Sequence, residues 1–274
     1  MIADLEKFTS YLALAFGPFL LVLAAASIVE RRHAIEPGQS RSEIFLDYKL
    51  VAANLVLTRA FAPLSSLIVS MGVSMVGGGF ITLRADGWWF ALSLAVVILT
   101  VELQGYWFHR LQHCVPFLWS MHSLHHSAEA MTTATGARHY WVEQAIISAF
   151  LPSAAMVFKI PPEILLVTSL FFITEYLAHM NVKVRFGPLM LVLNNPQFHR
   201  IHHSIEPQHR DRNFCKNLPI FDVIFGTAWV PGKDEYPRTG LATREKPVGL
   251  LEGVVWPLRH FPLIRRLLGS IPLT

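Results

Sequence analysis

The sequence predicts an all-α integral membrane protein in which about four to five transmembrane helices carry a cytosolic, histidine-rich helical cap holding a dimetal site. Three observations lead there. Hydrophobic residues make up 53% of the 274-residue chain against 15% charged, a balance that leaves the range of soluble globules. Apolar stretches of bilayer length recur along it. Eight of its thirteen histidines fall into three compact clusters, 109-HRLQH-113, 122-HSLHH-126 and 199-HRIHH-203. On a helix, residues three and four apart share a face, so each cluster would point its imidazoles one way, and three such faces converging make a polynuclear metal centre.

The first span is the almost wholly apolar run between Ser10 and Glu30, closed by Arg31, Arg32 and His33. A cleaved signal peptide competes for it, because Ala24 to Ala26 are small. The head MIADLEK, however, sets Asp4 and Glu6 against Lys7, where a signal needs net positive charge. Leu50 to about Thr82 is a second span that holds Arg59 and Gly77 to Gly79 and is expected to bend. Trp88 to Phe108 is a third, with Trp88 and Trp89 at one end and Tyr106 and Trp107 at the other, as an aromatic belt requires. Trp141 to Phe158 and Glu163 to Ala178 read as a helical hairpin turned by Lys159, Pro161 and Pro162. Lys233 to Pro247 reads as an exposed loop, and the segment after it as a helix lying in the interface or packing on the cap.

With the N-terminus outside, the outer segments hold Lys7, Arg84 and Lys159, and nearly all the other basic residues fall inside. That asymmetry predicts a multi-pass protein whose histidine clusters, and so its metal site, lie on the cytoplasmic side. The pI of about 9.2 follows from this topology, and no basic patch interleaved with aromatics points to nucleic acid. Cys114 and Cys215 provide neither a disulfide framework nor a cysteine-based metal site.

The HxxxH at 109–113 is not a zinc-protease motif, because Arg110 stands where HExxH needs glutamate. A closed structural zinc site takes four ligands, and eight histidines exceed that count. Imidazole suits zinc, copper, nickel and iron, so the metal stays open on ligand type alone. The order HxxxH, HxxHH, HxxHH resembles the membrane fatty-acid hydroxylase/sterol desaturase superfamily. So do 138-RHYWVE-143, 179-HMN-181 and the run from Asp211 and Asn213-Phe214 to 222-DVIFGT-227. Two departures stand out: Tyr140 follows His139 where proline is frequent, and Cys215 replaces a usual glycine.

The resemblance implies a non-haem centre of two iron ions, with zinc a substitute in purified protein. Its ligands would be His109, His113, His122, His125, His126, His199, His202 and His203, with His179 as an additional one. Glu175, four residues before His179, is the candidate catalytic residue. It would bind metal, hold a bridging water or orient an imidazole, and orientation is favoured. Residues 1–89 would be a transmembrane anchor, 90–230 the catalytic region and 231–274 a cytosolic or interfacial tail. The activity implied is hydroxylation or desaturation of a lipid C–H bond, sterol-like or fatty-acyl, using O2. Without a built-in dinucleotide or iron–sulfur motif, electrons would come from a separate ferredoxin or cytochrome b5-like donor, with Arg200, Arg210, Arg212 and Lys216 as a docking patch. A carotenoid hydroxylase of the same superfamily and a non-catalytic membrane metal-binding protein are the alternatives. His33, His209 and His260 are assigned to the surface or to packing.

Overall fold

In the computed structural model the described residues are 17, 20–36 and 40–261; the start of the first span and the end of the C-terminal segment lie outside them. Helix α1 covers residues 20–33. Helix α2 runs Arg41–Met75 and bends by 45° between its Arg41–Phe61 and Ser66–Met75 parts, where Pro63 removes a backbone donor. It ends before the glycines, and Gly77 and Gly78 turn the chain at φ 77° and 80°.

Helix α3, Trp89–Cys114, extends the expected span by one and a half turns, so the HxxxH motif occupies its final turns. It is long and apolar enough to cross a membrane by itself, and α2 passes the same test only if its two bent parts form one span. Pro116 stops α3. A residue before proline is pushed out of the helical region, and Val115 sits at φ −99°, ψ 115°. Helix α4, Pro116–His126, then folds back against α3 and brings the second cluster over the first.

The expected hairpin follows its path but not as two long helices. Trp141 to Phe158 breaks into α5 (Trp141–Ile147), α6 (Phe150–Ser153), a 3-10 turn at Ala154–Met156 and the strand β2 (Phe158–Lys159). Pro152 and the serines at 148 and 153, both bonded back to carbonyls three residues earlier, account for the interruption. β2 pairs in parallel with β1 (Ile81–Thr82), near the N-terminal end of α3. Gly79 is required there, because a Cβ would stand 2.4 Å from the Phe158 carbonyl carbon. Helix α7, Pro162–Phe172, returns toward the histidines and tightens into a 3-10 helix at Ile173–His179. Helices α8 (Pro196–His202), α9 (Ile220–Ile224), α10 (Leu250–Val254) and α11 (Trp256–His260) complete the cap.

The N-terminal elements also reach the histidine region. Asp47 of α2 forms a buried ion pair with Arg138 at 2.8 Å, and Thr135 also donates to it. Glu30 of α1 accepts from Thr133 and from the Asn181 backbone, and Glu36 pairs with the buried Arg200. The 233–247 segment is the irregular, largely exposed loop expected, and it also straps the cap. Glu235 bonds His209, Ser204 bridges to Thr239, Gly240 donates to the His203 carbonyl, and Arg244 and Lys246 pair with Glu129. Beyond it, α11 packs on α4, where buried Trp256 donates to Ser123 at 2.9 Å. Up to residue 261 that segment forms two short helices rather than one.

Candidate metal centre

All nine histidines singled out from the sequence meet at the junction of α3, α4, α8 and the 173–179 turn. They form two sets, His109, His113, His122, His126 and His202 in one, and His125, His179, His199 and His203 in the other, with ring nitrogens in each within 4.8 Å of one another. The clusters do not each serve one position, as a shared face had suggested. Adjacent residues on a helix point about 100° apart. His125 and His126, and likewise His202 and His203, therefore fall on opposite sides, and each HxxHH motif supplies both sets.

Local sequence explains the delivery. Asn195 caps α8 by accepting from the Gln197 and Phe198 backbone, with Pro196 at the first helical position, so His199 and His202 start from a fixed turn. Gly136, in the 3-10 turn Thr133–Ala137, lets that turn lie against His179; a Cβ there would be 2.9 Å from His179 Nδ1.

The hydrogen bonds of the rings settle which nitrogen faces inward. His109 Nδ1 lies 2.6 Å from the Phe214 carbonyl, His202 Nδ1 2.8 Å from that of Arg212, and His179 Nδ1 3.1 Å from that of Glu175. A carbonyl only accepts, so in each ring Nδ1 carries the proton and Nε2 is a bare lone pair. His122 Nδ1 donates to Glu143 at 2.8 Å, and His113 Nδ1 faces Asp211 at 3.3 Å. Buried and without hydrogen-bond partner are Nε2 of His113, His126 and His202. Orphaned lone pairs aimed at one point fit a cation. Spacing agrees: ligands about 2.1 Å from one ion stand roughly 3.0–3.4 Å apart, and the Nε2 pairs His109–His122, His199–His179, His203–His199 and His179–His125 are separated by 2.9, 2.9, 3.2 and 3.3 Å.

Burial keeps these rings neutral, as metal ligands must be. It drives His125, His126, His199, His202 and His203 well below the usual imidazole range, and brings His122 down to about 4 against the opposing pull of Glu143.

Glu143 is the residue that sequence reasoning missed. Its carboxylate is fully buried, and Oε1 accepts from Gln112, His122 and His139 at 2.7–2.9 Å. The available signal was a lone carboxylate in the apolar run from Trp141 to Phe158. His139, through Nδ1 on Glu143 and its ring stacked on His125 at 4.3 Å, belongs to the layer around the sets. Glu175 behaves differently from its expected orienting role: its backbone carbonyl, not its side chain, meets His179. The 3-10 geometry turns its carboxylate to Lys216 at 3.2 Å. Arg200 and Lys216, expected in a docking patch, are both held in ion pairs, Arg200 fully buried with Glu36. His209 is buried, bridging Ser204 and Glu235 beside Trp229. Cys215 replaces glycine without strain, because the positive φ angles of this run fall on Asp211 and Asn213.

Two cavities meet the histidines, and a groove adjoins one of them. A cleft of about 330 Å³ opens on the cap side onto His113, His126 and His202, past Arg210, Asp211 and the strap. A small cavity touches both sets and Glu143. A groove of about 230 Å³ runs between α3, α5, α6 and α7, and shares Ile147, Glu175 and Lys216 with the small cavity.

Residues 94–227 match the sequence profile of the fatty acid hydroxylase family. The chain is 34% identical over 149 residues to the alkylglycerol monooxygenase of Danio rerio, covering 54% of this chain and 31% of that protein. To the Xenopus tropicalis alkylglycerol monooxygenase it is 31% identical, over 68% of this chain and 39% of the relative. An ornithine lipid hydroxylase, OlsE, of Rhizobium tropici is 29% identical over 57% of the chain and 47% of its own length. The match thus spans about a third of the length of the alkylglycerol monooxygenases. No solved structure gives a significant match. With its histidine order, this chain belongs to the membrane fatty-acid hydroxylase/sterol desaturase superfamily. The relatives named are lipid-modifying monooxygenases and hydroxylases, and the chain carries a helix able to span a membrane.

Proposed function

We propose that this protein is a membrane-bound di-iron oxygenase that hydroxylates or desaturates a C–H bond of a lipid carrying an alkyl or acyl chain, with residues 90–230 as its catalytic region. The observation that carries the reading is the groove between α3 and α5–α7, whose inner end shares Ile147, Glu175 and Lys216 with the cavity lined by both histidine sets. A metal store has no need of such a groove.

His109, His113, His122, His126 and His202 would hold one ion, and His125, His179, His199 and His203 the other. Two irons so bound supply the redox power to reduce O2 and attack an unactivated C–H bond. The protein's own work is positional. Val101, Phe150, Leu151 and Phe172 line the groove and keep water from the chain. Glu175 and Lys216 close its inner end as an ion pair, and the pair must part or turn for the chain to reach the histidines. Glu143 holds the protons of His122 and His139 at their Nδ1 atoms, and Asp211 that of His113. The cap-side cleft is the route for O2 and for electrons from a separate ferredoxin or cytochrome b5-like donor. Of the four basic residues of the expected docking patch, Arg210, which lines the cleft, is the cation placed to meet it.

The crossings are α1, α2, α3 and the broken pair 141–158 and 162–179, with the histidines cytoplasmic. Arg84 and Lys159 at the opposite end from the histidines support that orientation. The test is a comparison of lipid profiles in cells lacking the gene, carrying it, or carrying His202→Ala, with a donor co-expressed and oxygen matched. A lipid gaining one oxygen or losing two hydrogens only with the intact protein is expected. Identical profiles for the intact protein and His202→Ala would contradict the activity.

A further inference from the structure

Helix α9 is inside out. Its one polar residue, Asp222, is fully buried, while Ile220, Val223 and Ile224 are 43, 50 and 62% exposed along one face. A helix on a water-facing cap turns its apolar stripe inward and its charges outward, and an exposed apolar patch of this kind marks a contact surface. Its surroundings indicate the contact. Phe225, just past α9, stacks on Tyr106 and lies 5.0 Å from Trp107 of α3. Leu103, Trp107 and Leu111 form an exposed stripe at four-residue spacing on the helix most able to span the bilayer. The α9 face therefore continues the lipid-facing surface of α3. At the edge stand two cations on apolar stems: Arg110 over the Trp107 ring, and Arg212, which donates to the Gly226 carbonyl beyond α9. Basic side chains in that position reach lipid phosphates while their stems stay in the apolar layer.

We infer that α9 is a membrane-immersed anchor of the cap, its Ile220, Val223 and Ile224 face lying at the boundary between headgroups and acyl chains. The same helix supports the metal centre. Asp222 accepts from the Phe214 and Cys215 backbone at 2.8 and 2.9 Å, and the Phe214 carbonyl receives the Nδ1 proton of His109. Lipid contact on one side of α9 and the orientation of His109 on the other are thus joined through one carboxylate.

The inference rests on the proposed membrane crossing of α3, and the test separates the two. In a Cys114→Ser background, the full chain is labelled with nitrobenzoxadiazole at Leu103→Cys, Ile224→Cys, Val223→Cys or Asp234→Cys. Each is reconstituted in vesicles of phosphatidylcholine and phosphatidylglycerol, and quenching by doxyl-labelled lipid is compared with quenching by aqueous iodide. The labels at 224 and 223 are expected to follow the label at 103, quenched several-fold more strongly by the lipid, with the label at 234 reversed. Labels at 223 and 224 that follow 234 while 103 stays lipid-quenched overturn the anchor alone. Shielding of 223 and 224 from both quenchers also overturns it, in favour of a protein contact. Iodide quenching at all four positions overturns the crossing of α3 as well.

Discussion

A buried imidazole binds a cation only when it is neutral and its free lone pair faces the ion, and the carbonyls of Phe214, Arg212 and Glu175 enforce this for His109, His202 and His179. Neutrality has a consequence for stability. His122 titrates near 4 in the folded chain and about 6.5 when unfolded. Between those values the unfolded chain binds the extra proton, so the stability contributed by the buried neutral rings is complete above about pH 6.5 and is lost as pH falls toward 4. Thermal unfolding of chelator-treated protein is expected to drop by several degrees from pH 7.5 to 5; an unchanged midpoint contradicts this. Glu143→Gln keeps the shape but removes the charge facing His122 and His139. Metal affinity should fall about 10- to 100-fold in competition with a chelating dye, with the helical signal of the protein unchanged. At this scale the sequence was most legible for the nine histidines that converge, because HxxxH and HxxHH repeat a pattern of metal-site density. It was least legible for Glu143, whose partners come from three separate segments.

Element boundaries record where proline and glycine overrule hydropathy. The Val115-Pro116 break was not read from the sequence as a fold-back, yet it is what lays α4 on α3. Pro152 sits within the apolar run from Trp141 to Phe158, and hydropathy averaged over that run hides the interruption. The i, i+4 relation of Glu175 and His179 was also legible, but it assumed an α-helix; the 3-10 turn at 173–179 gives the two side chains different neighbours. Close approach provides a test at this scale. Gly136→Ala places a Cβ against His179 and Tyr176, and overpacking of this kind costs about 1–3 kcal/mol. The variant should unfold earlier and bind less metal, and wild-type behaviour in both would show that the turn can yield. Removing one partner of the buried pair between α2 and the residue that follows the 133–137 turn, as in Asp47→Ala, leaves Arg138 uncompensated. It is expected to cost about 3–5 kcal/mol in denaturant unfolding, far more than loss of the exposed Arg84–Asp86 pair.

At the scale of the whole molecule, sequence separates an anchor, a catalytic region and a tail, whereas the structure joins them. Glu30, Glu36 and Asp47 reach the cap from the first segment, and Glu235, Gly240 and Trp256 close over it from the last. Such contacts lie some 26 to 164 residues apart in the chain and leave no periodicity to read. What they enclose is a pair of imidazole sets meeting at a small cavity, and the count of metal ions that those sets would hold is the centre of the account. The most direct measurement is the total iron and zinc per chain in purified protein, made for the wild type, for His113→Ala and for His199→Ala. Two ions per wild-type chain are predicted, with each variant retaining one. A wild-type chain that holds a single ion, shared by both sets, would contradict the account.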